Sequence, residues 1–281
     1  MPPTRTPLRL AILEADTPIG RARAKYGSYG GVFTSLLHRA ADASHVPRER
    51  LEITGWDVVD GAAEEEGEEG GGSRGHGRGV GGREAEGVSE DGGRGRRVDH
   101  RESARAAGFN AFGNDAWVVR LVEFVKEVLA QGRVKVVGVC YGHQIVGRAL
   151  GAKVAKSEGG AWEVSVCQVV QTEKGKELFG GKDALSIFQM HKDLVYHYPT
   201  GVEELGSSGP CKVQGMYVPK KVITVQGHPE FTEEIVAELL EKRREQMIFS
   251  EEIYGEAMAR VGKPHDGVMV AQAFLKFLME E

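Results

Sequence analysis

Apolar and polar residues alternate along the chain in blocks that predict strands followed by helices. Leu8 to Glu14 is a compact apolar run that fits a buried strand. After a glycine-containing loop, four apolar positions recur at helical spacing: Val32, Leu36, Leu37 and Ala40. The stretch LEITGWDVVDG, residues 51–61, is rich in β-branched residues and predicts a second strand.

The same alternation returns near residue 115. Residues 115–132 carry a helical stripe with Gly132 at the C-cap, and RVKVVGV, residues 133–139, predicts the next strand. Further elements follow as a helix at 144–150, strands within 153–170, 186–193 and 220–231, and amphipathic helices that include 232–247 and 266–278. This order predicts an α/β fold with a doubly wound, mostly parallel sheet.

One segment, residues 61–107, breaks the pattern. From 61 to 100 its only sizeable apolar residues are Val80, Val88 and Val98, whereas ordering a backbone costs about 1–2 kcal/mol per residue. We therefore predict a disordered, glycine-rich insert, in which GRGVGG matches a nucleotide-binding pattern by composition only. The domain is expected over residues 8–249, with 250–281 as a C-terminal helical extension packed on the same domain.

Composition narrows the class of protein. The 281 residues carry a formal net charge of -5, which gives no reason to expect nucleic acid or an anionic membrane as a partner. Three cysteines do not make a disulfide framework, so a reducing, cytoplasmic location is expected. No apolar run reaches membrane-spanning length.

A cysteine stands where a predicted strand meets a predicted helix, in the stretch VVGVCYGHQ at residues 136–144. Gly138, Cys140 and Gly142 fill the pattern of a nucleophile elbow, a sharp turn that presents one side chain and requires small neighbours. The N-terminal amides of the following helix favour a thiolate. The alternative is a buried, inert cysteine behind a glycine-rich turn.

A nucleophilic cysteine needs a base and a group that orients the base. The stretch VQGHPEF, residues 225–231, supplies His228 at the end of an apolar run and Glu230 two residues later. Residues i and i+2 of an extended segment point the same way, so Glu230 is placed to hold the His228 ring. Both motifs end strands at the carboxyl edge of a parallel sheet, where such folds place their sites.

The motifs GVCYGHQIVGRALGAKV and QGHPEF together resemble the signature of class I (triad-type) glutamine amidotransferases. The flanks FNAFGNDAW, FQMHKD and GSYGGVF are most similar to stand-alone fungal and plant members related to γ-glutamyl peptidases. The resemblance covers most of residues 8–280 apart from the insert, and it implies a flavodoxin-like fold. It also implies that Cys140 is the nucleophile, His228 the base and Glu230 its partner.

The resemblance implies three substrate-binding residues as well. Tyr141 would offer its backbone N–H to the oxyanion, Gln144 would help hold the glutamyl group, and His191 would lie near the glutamyl-binding loop. A solvated loop histidine is the alternative for His191. Four histidines fall at spacings that match no zinc pattern, so neither a metal nor another cofactor is expected: His143, His191, His197 and His228.

One part of the family pattern is missing. Members carry a β-branched strand ending in Thr-Gly-Ser before the equivalent of FNAFGNDAW, and its glycine gives a second oxyanion N–H. Here RESARAAG precedes Phe109, and we interpret residues 61–108 as a retained intron or an error of gene prediction. Loss of one oxyanion donor costs about 10²–10³ in rate, so the alternative function is a catalytically impaired binding protein of the same fold.

The expected function is cysteine-dependent hydrolysis of a γ-glutamyl amide bond through a glutamyl thioester. The chain contains no G-x-x-x-x-G-K-[ST] loop for ATP, which favours a stand-alone glutaminase or γ-glutamyl peptidase. The expected partner is therefore a small molecule, either glutamine or a γ-glutamyl peptide. A synthetase that consumes released ammonia stays open as a second kind of partner.

Limited trypsin digestion under native conditions tests the predicted insert. Arginines in a glycine-rich stretch that packs against nothing are easily cleaved, so residues 61–107 should be cut well before the rest of the chain. The cleavage sites can be read by mass spectrometry. Protection of this segment would contradict the prediction.

Overall fold

The computed structural model describes residues 6–59 and 109–280. The strands are β1 (Leu8–Glu14), β2 (Leu51–Asp57), β3 (Val136–Val139), β4 (Val154–Lys156), β5 (Glu163–Gln171), β6 (Ala184–His191), β7 (Asp193–Val195), β8 (Glu203–Ser207), β9 (Gly215–Val218) and β10 (Val222–Val225). The helices are α1 (Gly20–Tyr26), α2 (Tyr29–Ala43), α3 (Ala116–Gln131), α4 (Tyr141–Ala149), α5 (Glu173–Leu178), α6 (Glu233–Glu245), α7 (Glu251–Val261) and α8 (Gly267–Met279).

The long elements lie where the apolar periodicity predicts them. β1 matches its predicted run, and the four apolar positions predicted for α2 are all buried. α3 ends at Gly132, whose φ of 63° lies in the left-handed region that glycine adopts without strain. α4 begins at Tyr141, earlier than predicted, because Cys140 is itself the N-cap residue.

The largest sheet has six strands in the order β3-β10-β9-β8-β5-β6. β3 and β10 pair in parallel, as do β1 and β2 in a separate two-stranded sheet. The other neighbours in the large sheet are antiparallel, a direction that apolar alternation in the sequence does not indicate. The predicted α/β fold class is confirmed.

A core lies on each face of the large sheet. Val222 and Ile223, adjacent in β10, pack into different apolar clusters because successive strand residues point to opposite faces. The first cluster joins α3 and α4 to the sheet, and the second joins α8 to it. β10 is therefore buried on both faces. This packing fixes the position of the strand, and so of its carboxyl end, within the sheet.

The helices of residues 250–281 contact the rest of the chain. α7 packs on β5 and α6, and α8 packs on α2. Ala271 and Leu275 of α8 are buried beside Leu36 and Leu51 in a further apolar cluster. A boundary at residue 249 stays a prediction.

Residues 6–59 and 109–280 contain neither a membrane-spanning helix nor a metal-binding cluster. Within these ranges no helix combines the length and the apolarity needed to cross a bilayer. Within the same ranges, no three His, Cys, Asp or Glu side chains are grouped so that they would hold a metal ion. The predicted insert, residues 61–107, and the stretch RESARAAG lie outside the described residues.

Candidate active site

Cys140 occupies a sharp turn between β3 and α4. Its φ is 46° and its ψ is -101°, a backbone conformation that costs a residue other than glycine about 1–3 kcal/mol. The backbone holds this turn from both sides, because the Cys140 N–H donates to the Val225 carbonyl at 3.0 Å and the Cys140 carbonyl accepts from the Gln144 N–H at 3.1 Å. The turn has the geometry of the predicted elbow.

The two glycines that flank the cysteine differ in their surroundings. A Cβ atom added to Gly138 would lie 2.8 Å from Thr224 Cγ2 and 2.9 Å from the Gly142 carbonyl oxygen, so only glycine fits there. A Cβ atom added to Gly142 would meet no described atom within 4 Å apart from its chain neighbours and the backbone of its own helix. The expectation that both glycines are required by crowding is therefore wrong for Gly142 as far as residues 6–59 and 109–280 are concerned.

His228 and Glu230 form a tightly held pair after β10. The His228 Nδ1 atom lies 2.6 Å from Glu230 Oε1, and the His228 backbone N–H donates to the Phe188 carbonyl at 2.7 Å. The Phe231 ring stacks on the imidazole with 3.9 Å between centroids. With Nδ1 engaged by the carboxylate, the other ring nitrogen is left for Cys140, which lies close enough to act on the pKa of His228.

Charge determines the protonation of the His228 ring. Burial alone would lower its pKa, but the Cys140 thiolate and the Glu230 carboxylate outweigh burial and raise the pKa of His228 to about 10. The ring therefore keeps both of its protons at neutral pH. Cys140, His228 and Glu230, predicted from two separate motifs, lie together in the structure.

Tyr141 begins α4 immediately after the cysteine. Because it is the first helical residue, its backbone N–H has no acceptor within the helix. Its ring turns away from that N–H and stacks on Trp117 with 5.9 Å between centroids, and burial raises the pKa of its phenol. The oxyanion role of the Tyr141 backbone N–H stays a prediction.

Gln144 and His191 are both buried and share one hydrogen-bond acceptor. Gln144 Nε2 donates to the Asp193 carbonyl at 2.9 Å, and His191 Nδ1 lies 3.2 Å from the same oxygen. On its other side, His191 Nε2 lies 3.3 Å from Glu163 Oε2. His191 is only 4% exposed, so the alternative of a solvated loop histidine is wrong.

The neighbouring histidine, His143, faces the sheet rather than the site. It is fully buried, and its Nδ1 lies 2.8 Å from Thr224 Oγ1. Burial, with a smaller contribution from the charge of His191, lowers the pKa of His143 to about 3. It is therefore a neutral residue that ties α4 to β10.

Two residues near the sulfur were missed by sequence reasoning. Gln226 is fully buried, and its Nε2 lies 3.6 Å from Cys140 Sγ. Burial raises the pKa of the Tyr29 phenol, and the charges of Asp16, Glu230 and Cys140 add to this effect in that order. Gln226 stands two residues before His228, so the alternation of an extended chain could have placed it at the same site.

The fold and the site together define the class of protein: an α/β protein with a cysteine, a histidine and a glutamate where its parallel strands β3 and β10 end. The model of the family Glutamine amidotransferase class-I matches residues 107–243. Residues 107–243 therefore carry a domain of this family.

Individual relatives agree with the family match. A glutamine amidotransferase-like protein of Schizosaccharomyces pombe is 41% identical over 165 residues, which are 58% of this chain and 66% of that protein. Gamma-glutamyl peptidase 2 of Arabidopsis thaliana is 30% identical over 158 residues, or 55% of this chain and 62% of the peptidase. The chain thus matches slightly under two thirds of the length of these relatives.

A solved structure supports the fold. The crystal structure of a glutamine amidotransferase from Thermotoga maritima superposes with a TM-score of 0.60 over 97% of this chain and 99% of that one, at 12% identity. At this identity the likeness concerns the fold alone.

Alanine at each flanking glycine tests the asymmetry of the turn. Gly138→Ala should destabilise the protein by about 1–3 kcal/mol, because the new methyl group would be forced against Thr224 and the α4 backbone. Gly142→Ala lies in the first turn of α4 with open space beside it, so it should leave stability unchanged or raise it by up to about 1 kcal/mol. Chemical denaturation of both variants measures the difference, and equal losses would contradict it.

Proposed function

We propose that this protein hydrolyses a γ-glutamyl amide bond through a thioester on Cys140. The observation that carries the proposal is the arrangement at the ends of β3 and β10, where a cysteine in a strained turn meets a histidine paired with a buried carboxylate. A thiolate is the nucleophilic form of cysteine, and the raised pKa of His228 means that the ring can hold the proton of the thiol.

In the first half of the reaction the Cys140 sulfur attacks the γ-carbonyl carbon. The C–S bond forms, the carbonyl electrons move to oxygen, and the negative charge lies near the backbone N–H of Tyr141. As the tetrahedral intermediate collapses, the C–N bond breaks and His228 donates its proton to the departing nitrogen. The products of this half are ammonia or an amine and a glutamyl thioester.

The second half restores the enzyme. Water attacks the thioester carbonyl while neutral His228 takes one of its protons. Collapse of this intermediate breaks the C–S bond, so that glutamate leaves and the thiolate and the imidazolium form again. Glu230 orients the ring and stabilises its positive charge throughout without contacting the substrate.

The substrate class rests on the family. The relatives include a protein named gamma-glutamyl peptidase, which favours a γ-glutamyl compound as substrate, with glutamine as the smallest member of that class. We assign Gln144 to the glutamyl group on the family resemblance. Its Nε2 donates to the Asp193 carbonyl, and His191 Nδ1 lies 3.2 Å from the same oxygen.

The cellular setting follows from the thiol chemistry. All three cysteines are unpaired, and a reactive thiolate persists only where reductants keep it free. We therefore place the reaction in a reducing compartment, the cytoplasm. Ammonia released from glutamine would need a synthetase partner, whereas an amine released from a γ-glutamyl peptide would not.

A substrate panel with purified protein tests the proposed activity. Glutamine, glutathione and a glutathione S-conjugate should show which compound is hydrolysed, with released glutamate as the readout. Cys140→Ala should abolish the reaction because no thioester can form, whereas Cys167→Ala, which changes a half-buried thiol bonded to Val164, should keep it. Equal rates in the parent and in Cys140→Ala would leave a non-catalytic binding protein as the function.

The pH dependence tests the role of Glu230. Because the pKa of His228 is raised, the ring loses its proton only as the pH rises through about 10, and the rate should fall there. Glu230→Gln removes one of the charges that raise this pKa, so its descending limb should move to lower pH. kcat should fall by less than in Cys140→Ala or His228→Ala, and KM should change little.

Glu234→Gln is the matched control for this experiment. It removes the same charge from an exposed carboxylate that pairs with Lys25. Its profile should follow that of the parent. A Glu230→Gln limb at the parental pH would remove Glu230 from the proposed role, and a change in KM alone would make it a substrate-binding residue.

A further inference from the structure

Gln226 connects the nucleophile to a buried line of hydrogen bonds. Its Nε2 lies 3.6 Å from Cys140 Sγ, and its Oε1 accepts from Gln144 Nε2 at 3.1 Å. Gln144 Nε2 also donates to the Asp193 carbonyl at 2.9 Å. We call this line, from the Asp193 carbonyl through Gln144 and Gln226 to Cys140, the amide chain.

The far end of the amide chain determines which atoms face the sulfur. A backbone carbonyl can only accept, so the group that Gln144 turns towards Asp193 must be its NH₂. The same NH₂ faces Gln226, which must therefore present its oxygen to Gln144. The NH₂ of Gln226 is left pointing at Cys140. A flipped Gln226 would set two donors against each other and lose that bond.

The position of Gln226 is fixed as firmly as its orientation. Its side chain is fully buried, and its backbone N–H donates to the Gln214 carbonyl at 2.9 Å, which continues the pairing of β10 with β9. The other end is held too, because His191 Nδ1 lies 3.2 Å from the Asp193 carbonyl. Neither end of the amide chain can turn without breaking a buried hydrogen bond.

We propose that Gln226 is a catalytic residue whose amide N–H binds the Cys140 sulfur and stabilises it as a thiolate, oriented for this by Gln144 and the Asp193 carbonyl. The inference rests on the proposed function and adds a third group to the cysteine and the histidine. In the reaction, the same N–H would favour departure of the sulfur when water cleaves the thioester, because negative charge returns to it at that step.

Other groups around the sulfur titrate, but Gln226 does not. His228 faces Cys140 with Glu230 behind it, and the Tyr29 phenol approaches from α2. A neutral amide keeps its hydrogen bond at every pH in the working range. Loss of this donor should therefore raise the pH at which Cys140 becomes a thiolate. The shape of the pH profile of Cys140 alkylation should stay unchanged.

The test is the pH profile of Cys140 alkylation by limiting iodoacetamide, read by peptide mass spectrometry on the full chain. Gln226→Met keeps the size of the side chain and removes the donor, so the midpoint should rise by about one pH unit. Labelling below the midpoint should be about three- to fourfold slower, because less thiolate is present but each thiolate is more nucleophilic. Gln226→Glu adds a negative charge beside the sulfur and should raise the midpoint further. Gln144→Met frees Gln226 to turn and should give a smaller rise.

Two controls allow the labelling result to be interpreted. Gln168→Glu makes the same charge change at an exposed glutamine on β5 and should leave the profile unchanged. Cys211 is fully buried, so only molecules in which it stays unlabelled are counted as folded.

The outcomes separate this inference from the function on which it rests. A parent protein in which Cys140 reacts no faster than Cys167 at neutral pH would overturn the proposed function. A reactive Cys140 whose midpoint is the same in the parent, in Gln226→Met and in Gln226→Glu would overturn the role of Gln226 alone. A rise in both Gln226 variants, with Gln168→Glu unchanged, would support it.

Discussion

The parallel pairing of β3 with β10 is the interaction on which the site depends. Val139 lies opposite Val225, and the Cys140 N–H donates to the Val225 carbonyl. Both strands therefore end at the same edge of the sheet, level with each other. A slip of one residue would turn every side chain of β10 to the other face and carry His228 away from the sulfur. The register resists such a slip because β10 packs into a separate core on each face. The packing of the sheet thus sets the geometry of the site.

This pairing also brings the ionisable side chains of Cys140, His228 and Glu230 together in a buried site, where each one affects the ionisation of the others. Glu230 is only 2% exposed, and a buried carboxylate is costly unless it is paired. Its partner is His228, whose pKa is raised by interactions with Cys140 and Glu230 that outweigh burial. The proposed chemistry therefore requires all three groups at once. The fold contributes to it through the Phe188 carbonyl and the stacked Phe231 ring, which hold the imidazole between its neighbours.

Sequence periodicity located the elements that bury a broad apolar face, such as α2 and α3, and it missed short ones. α5, β8 and β9 have six, five and four residues, too few for a repeat to become visible. The motifs located Cys140, His228 and Glu230 because each motif is local in the sequence. They could not show which side of the turn is open, so Gly142 was misjudged. The contact of Gln144 with Gln226 spans 82 residues and exists only once β3 and β10 have paired.

A neutral donor suits a sulfur that must attack a carbonyl and later leave it. A second positive charge beside Cys140 would lower the pKa of the thiol further, but nucleophilicity falls with that pKa, with a Brønsted slope of about 0.4–0.5. It would also repel the imidazolium of His228 and lower the pKa that keeps this ring protonated. The amide of Gln226 also stabilises the thiolate and so lowers the pKa of the thiol, but it carries no net charge and therefore does not repel the imidazolium of His228. The Asp193 carbonyl enforces this arrangement, since it decides through Gln144 which end of the amide faces the sulfur.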